Sequence, residues 1–110
     1  MSRTKGAVGE REWASICREE GYDAHRGRQY HGGEDSPDVV GLPLIHVEVK
    51  RVEALRLDDA MAQARRDAGA KTPIVAHRKN RQPWMVTMLA ADWFKLYREW
   101  EAGQLPFTDE

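Results

Sequence analysis

The alternation of apolar and polar residues from position 45 to position 50 constrains the fold more than any other feature of the chain. Successive side chains of a β-strand point to opposite faces, so this stretch is expected to place one apolar face against a core. The apolar face carries Ile45, Val47 and Val49. The opposite face carries His46, Glu48 and Lys50. The pattern therefore predicts a strand with an imidazole, a carboxylate and an ammonium group in one row.

A second short strand is expected just before this one, opening at Asp38 directly after Pro37, with a turn at Gly41–Pro43 between the two. If the strands pair, the carboxylates of Asp38 and Glu48 approach each other, with the Lys50 ammonium group alongside. Adjacent acids are unfavourable unless a cation binds them, and hard divalent cations prefer carboxylate oxygens. The alternative is an ordinary half-exposed strand whose polar side chains face water.

Composition indicates one globular domain spanning residues 1–110, since the chain is 41% apolar and 32% charged. We find no apolar run long enough to cross a membrane and no signal-peptide core. The lone cysteine, Cys17, has no partner for an internal disulfide, which favours a reducing cytoplasm. The periodicity of its helix predicts that Cys17 packs in the core.

Charge is unevenly distributed along the chain. The net charge of −1 argues against a nucleic-acid-binding protein, because such proteins are usually basic. However, residues 46–82 carry nine Lys/Arg against five Asp/Glu, whereas residues 83–110 carry two against five. A divalent ion at the carboxylates would leave the basic middle of the chain to face phosphate.

The remaining periodicities predict an α/β domain with a mixed central β-sheet flanked by helices. Helices are expected over 6–20, 55–69 and 91–102, and further strands over 22–31, 72–77 and 84–89. Residues 1–5 are expected to form a loose basic arm, and residues 104–110 a loose acidic tail. The last helix has an aromatic face that is expected to pack in the core, with a dimer contact as the alternative. That face comprises Trp93, Leu96, Tyr97 and Trp100.

The pair Pro37-Asp38, followed ten residues later by Glu48-Val49-Lys50, resembles the signature of the PD-(D/E)xK nuclease superfamily. The residues upstream are similar to those of archaeal-type Holliday-junction resolvases and related small phage nucleases. The matching stretches are Lys5-Gly6, Gly9-Glu10-Arg11-Glu12, Gly21-Tyr22 and Arg26 to Gly33. The likeness covers roughly residues 3–75 and implies a restriction-endonuclease-like core.

The resemblance implies a metal-dependent DNA endonuclease that uses Mg²⁺, with Mn²⁺ as a possible substitute. Asp38, Glu48 and the Val49 carbonyl would bind the ion directly. Glu10, with Glu12 as the competing candidate, would act through water or hold a second ion. Lys50 would orient the attacking water. By the same resemblance Gln63 would face the site from a helix, the alternative being a surface amide.

We expect His46 to have a structural role, although it shares a face with Glu48. For a set of basic and hydroxyl residues we expect a DNA-binding role. The expected DNA contacts are Lys5, Arg26, Arg28, Ser36, Arg78, Lys79 and Arg81. Ordinary solvated surface is the alternative for the cations, and a turn cap is the alternative for Ser36.

By resemblance, the leading expectation is a Holliday-junction resolvase, which would act as a homodimer because symmetric cutting requires two active sites. The alternatives are a nuclease for nicked, flapped or single-stranded DNA and a catalytically silent DNA-binding protein on the same fold. A phage gene and a bacterial recombination gene both fit the sequence.

Overall fold

The computed structural model describes residues 2–27 and 37–104, and for residues 2–5 the backbone alone. These residues form three helices and five strands. They are α1 (Ser2–Glu19), β1 (His25–Arg26), β2 (Val39–Val40), β3 (Ile45–Arg51), α2 (Leu57–Asp67), β4 (Thr72–Arg78), β5 (Met85–Met88) and α3 (Ala90–Ala102). The strands form one sheet in the order β1-β2-β3-β4-β5, in which only β3 and β4 run parallel. The predicted α/β architecture with a mixed central sheet is therefore confirmed.

Strand β3 lies at the centre of the sheet and is covered on both faces. Val47 and Val49 pack with Ala14 and Cys17 of α1, which confirms the predicted core position of the cysteine. The other face of the sheet is covered by α2, the crossover helix that a parallel β3–β4 pair requires. That layer contains Ala60, Met61 and Ala64 of α2 against Val75 of β4. His46 and Glu48 of β3 are therefore buried polar residues, whereas Lys50 and Arg51 at the end of the strand keep partial contact with solvent.

Helix α1 approaches the end of β3 closely because of Gly9. A Cβ atom at this position would lie 2.8 Å from the Cβ of Arg51 and 3.5 Å from Val49 Cγ1. A side chain there would push the helix away from the strand, although glycine inside a helix costs about 1 kcal/mol relative to alanine. The glycine therefore places its neighbour, Glu10, beside the end of β3.

The start of α1 differs from the expectation. The helix begins at Ser2, so residues 2–5 continue it instead of forming a loose arm. Arg3 and Lys5 are favourable helix residues, and packing of the rest of α1 on the sheet supports the extra turn. The end agrees with the sequence: the helix stops before Gly21, whose φ of 102° is a left-handed value that glycine tolerates. The expected loose tail lies outside the described residues beyond Gln104.

The expected core position of α3 is wrong. None of its residues is buried, and its large apolar side chains are between 38% and 58% exposed. The periodic pattern predicted an amphipathic helix correctly, but a pattern does not specify which surface covers the apolar face. Within the described residues, no helix combines the length and apolarity needed to cross a membrane.

Candidate active site

A pocket of about 280 Å³ opens at the carboxyl end of β3. It is lined by Gly6, Glu10, Asp38, Glu48, Val49, Lys50, Arg51, Val52 and Gln63. All five side chains predicted to take part in catalysis are among these residues. They come from α1, from the residue that precedes β2, from β3 and from α2. The structure thus brings together groups that are up to 53 positions apart, from Glu10 to Gln63.

Asp38 is held against β3 by two backbone hydrogen bonds. Its N–H donates to the Val47 carbonyl at 2.8 Å, which extends the β2–β3 pairing by one residue. Its Oδ2 atom accepts a hydrogen bond from the Val49 N–H at 2.8 Å. The carboxylate therefore has a fixed position next to the strand that carries Glu48 and Lys50.

Two of the pocket carboxyl groups, those of Asp38 and Glu48, have raised pKa values. Burial raises the pKa of Asp38 from 3.8 to about 7, and repulsion from the Glu48 carboxylate adds to this effect. Burial also raises the pKa of Glu48 from 4.5 to about 7, and the Lys50 ammonium group offsets only part of that increase. A site with two such carboxyl groups is suited to a positively charged ligand.

The buried His46 side chain contacts the carboxylate of Glu48. The His46 ring is 1% exposed, and its Nε2 atom lies 2.9 Å from Glu48 Oε2. Asp67, the last residue of α2, joins them, with one ligand atom from each residue within 4.8 Å of the others. The alternative of a half-exposed strand is therefore wrong for β3, because His46 and Glu48 are both buried. Sequence reasoning missed Asp67, although it follows Gln63 by one helical turn and so shares its face.

The two acidic candidates on α1 take different positions. Glu10 lines the pocket and accepts a hydrogen bond from Arg26 Nε at 2.8 Å. Glu12 instead pairs with Arg51 Nε at 2.9 Å and with Arg78 at 3.2 Å, on a different part of the surface. Glu10 is thus the α1 acid that faces Asp38 and Glu48.

Side-chain hydrogen bonds connect the basic β4–β5 turn to α1 and to the end of β3. Arg78 donates from Nη1 to Glu12 and from Nε to the Gln82 carbonyl, so its guanidinium group is already engaged. Arg51 donates to the Asn80 side chain at 3.0 Å. Lys79 and Arg81 are exposed at the tip. Of the other predicted DNA contacts, Arg26 lies next to the pocket, whereas Arg28, Ser36 and the Lys5 side chain lie outside the described residues.

A mixed five-stranded sheet with Pro37-Asp38 and Glu48-Val49-Lys50 at one strand end has the architecture of the PD-(D/E)xK nucleases. Among solved structures, the chain is similar to Hjc, a Holliday junction resolvase from the archaeal hyperthermophile Archaeoglobus fulgidus. The two share 25% sequence identity with a TM-score of 0.59, over 76% of this chain and 72% of that one. The chain therefore resembles the archaeal resolvases of this superfamily, as its motifs predicted, and the likeness supports a nuclease. No protein-family profile and no curated protein sequence matches it.

Proposed function

We propose that this protein is a divalent-metal-dependent DNA endonuclease that cuts four-way junctions. The observation that carries the proposal is the convergence of Asp38, Glu48 and Lys50 in one pocket on a resolvase-like fold. The remaining pocket acid, Glu10, completes an arrangement of carboxylates around one small volume. Phosphodiester hydrolysis requires groups that position water and offset negative charge, and this arrangement supplies both.

The donor chemistry of the pocket fits a hard divalent cation. Asp38 and Glu48 present carboxylates whose pKa values are raised chiefly by burial and, for Asp38, also by repulsion from Glu48, the condition that a bound cation relieves. We assign these two side chains and the Val49 carbonyl as ligands of Mg²⁺, for which Mn²⁺ substitutes, with Glu10 acting through water or on a second ion. When bound, such an ion polarises the phosphate and lowers the pKa of water.

Lys50 and Gln63 are the residues that handle the substrate in this proposal. The Lys50 ammonium group lies beside the two carboxylates, where it orients the attacking water and offsets phosphate charge. Gln63 reaches the same pocket from α2 and presents an amide to water or phosphate. Lys79 and Arg81 at the β4–β5 tip, together with Arg26, contact the DNA backbone.

A panel of DNA substrates tests the proposed function. Four-way junction, flap, nicked duplex, linear duplex and single-stranded DNA are incubated with the protein in Mg²⁺, in Mn²⁺ and in chelator. We expect the junction to be cut fastest, with no cleavage in chelator. Preferential cleavage of flaps, nicks or single strands would favour the alternative substrate class, and DNA binding without any cleavage would favour a silent binding protein.

We predict that Lys50→Ala lowers junction cleavage by about 10²-fold, because one charge-stabilising group is lost from the transition state. Metal binding without DNA should persist, since the carboxylates remain. Lys71→Ala, at an exposed position away from the pocket, is the matched control and should cleave at the normal rate. Undiminished cleavage by Lys50→Ala would remove the role assigned to this residue.

We predict that His46→Asn weakens Mn²⁺ binding by about 10-fold or more, because it removes the group that orients Glu48. Titration of the protein without DNA, by calorimetry or by the Mn²⁺ spin-resonance signal, measures the effect. His77→Asn is the control, since His77 is half-buried and its ring bonds Thr87 of β5 and lines no part of the pocket. Equal affinities in the two variants would show that His46 only fills space.

Symmetric cutting of a junction calls for two active sites, so we propose that the enzyme works as a homodimer.

The cytoplasmic setting expected from the lone Cys17 remains a prediction, as does an origin in a phage or bacterial recombination gene.

A further inference from the structure

A second group of metal-ligating side chains shares Glu48 with the catalytic pocket. It consists of Glu48, His46 and Asp67, which place one ligand atom each within 4.8 Å of the others. Neither His46 nor Asp67 is among the residues that line the pocket. His46 and Glu48 are almost fully buried, whereas Asp67 is half-buried. The group is therefore distinct from the ligand set of Asp38, Glu48 and the Val49 carbonyl assigned above.

The fold explains why these three residues meet. His46 and Glu48 are two positions apart on β3, so their side chains share one face of the sheet. Glu48 lies beside Val75 in the parallel β3–β4 register, and Val75 packs against α2. That face is therefore the one that α2 covers, and Asp67 is the last residue of α2. The crossover connection thus brings its carboxylate onto the strand that carries the other two groups.

The charges around Asp67 favour a bound cation. A carboxylate in the last turn of a helix faces the negative end of the helix dipole, which is unfavourable. Burial is the main cause of the raised pKa of Glu48, and repulsion from Asp67 adds to it. Among the side chains that the structure describes, no cation forms an ion pair with Asp67. Arg65 and Arg66, in the same turn, are exposed.

The donor set selects a class of metal ion. One imidazole and two carboxylates suit borderline transition ions such as Zn²⁺, Co²⁺ and Mn²⁺, whereas Mg²⁺ prefers oxygen ligands alone. Ligand atoms about 2.1 Å from a common ion lie roughly 3–3.5 Å from one another. His46 Nε2 and Glu48 Oε2, 2.9 Å apart, are close to that spacing. A small rotation of the half-buried Asp67 side chain would bring the third ligand into place.

We propose that His46, Glu48 and Asp67 form a second metal site, which binds divalent transition-metal ions in preference to Mg²⁺. Glu48 belongs to both sites, so an ion held here and an ion in the catalytic pocket share its carboxylate. The inference depends on these three side chains and requires neither DNA nor cleavage.

Titration with Co²⁺, followed by its visible absorption, tests the proposal, because these bands strengthen when Co²⁺ exchanges water for fewer, mixed ligands. The Asp38→Asn chain, in which the catalytic site is weakened, should still bind one Co²⁺. Adding Asp67→Asn to this chain should weaken Co²⁺ binding by about 100-fold, since the loss of a ligand exceeds the 10–100-fold typical of outer groups. Asp58→Asn, which changes an exposed acid of the same helix, is the matched control and should have no effect. Circular dichroism checks the fold of each variant.

A comparison of two ions separates a ligand role of His46 from an orienting role. If His46 only orients Glu48, His46→Asn should lower the affinities for Mg²⁺ and Co²⁺ by the same factor. If the imidazole is itself a ligand, the affinity for Co²⁺ should fall at least about 10-fold more than that for Mg²⁺, which binds imidazole poorly. Calorimetry of the full chain with each ion measures both affinities, and equal losses would overturn the proposal.

Nitrogen resonances of the wild-type protein give a test that needs no substitution. Zn²⁺ should shift the ring resonances of His46 and leave those of His77, whose ring bonds Thr87, in place. An unshifted His46 ring, loss of Co²⁺ binding in Asp38→Asn, or equal effects of Asp67→Asn and Asp58→Asn would each overturn the proposal. A chain that binds Co²⁺ through His46 and Asp67 but cuts no DNA would refute the nuclease function and leave this site standing.

Discussion

In Mg²⁺, Asp38→Asn is expected to lower the rate of junction cleavage by about 10³-fold or more. The change removes one negative charge and one anionic ligand oxygen from the pocket. It keeps the shape of the side chain and an oxygen that can accept the Val49 N–H, a bond of 2.8 Å in the native protein. The loss therefore measures the carboxylate and not a disturbance of β2. Single-turnover cleavage of a labelled junction gives the rate.

Asp58→Asn is the matched control for this experiment, since Asp58 is an exposed acid in the first turn of α2. Its cleavage rate should equal that of the wild type. Circular dichroism and calorimetric Mn²⁺ titration of both variants distinguish lost chemistry from lost folding. Near-normal cleavage by Asp38→Asn would remove Asp38 from the proposed metal site and with it the central argument for a nuclease.

The same substitution is expected to stabilise the protein when metal is absent. At about pH 8 in chelator, Asp38→Asn should raise the free energy of unfolding by roughly 1–2 kcal/mol. The full pKa shift corresponds to more, but Asp38 keeps partial contact with solvent and shares its titration with Glu48. The physical reason is that folding places this carboxylate beside Glu48 and away from water. Urea unfolding followed by fluorescence measures the difference.

The pH dependence of this gain follows from the direction of the shift. The folded protein holds the proton of Asp38 up to about pH 7, whereas the unfolded chain releases it near the ordinary value of 3.8. The ionised carboxylate therefore destabilises the fold fully above about pH 7. The penalty declines as the pH falls from 7 towards 4, and with it the advantage of the variant. Glu48, whose pKa is also raised to about 7, titrates in the same window.

Addition of Mg²⁺ should reverse the order of stability, because a ligand that binds only the folded state stabilises it. The wild type should gain stability with increasing Mg²⁺, and Asp38→Asn should gain much less. A variant that is less stable than the wild type at about pH 8 in chelator would show that the acidic pair is already compensated in the native protein. These opposite effects on stability and cleavage are characteristic of a site whose charges serve function at the expense of folding.

Local sequence patterns were sufficient for most of the fold. Period-two alternation marked β3, and helical periodicity together with Gly69 marked α2. The pairing of two short strands around Gly41–Pro43 was enough to predict that Asp38 and Glu48 approach each other. Side-chain direction along a strand is fixed by backbone geometry, so a short segment contains the information needed.

Contacts between distant segments had to be decided by the tertiary structure. Which of Glu10 and Glu12 lines the pocket depends on how α1 turns on the sheet, where Gly9 packs closely against Arg51. The burial of His46 depends on α2 covering β3.

What the sequence by itself determined is the set of elements and the identity of the chemical groups at the end of β3. Only the tertiary structure decided that Asp67 joins His46 behind Glu48, that Arg78 is engaged by Glu12, and that the aromatic face of α3 stays uncovered. The reason is physical: periodicity records which residues share a face, because the backbone repeats along each element. What lies against that face is set by the packing of elements that are far apart along the chain.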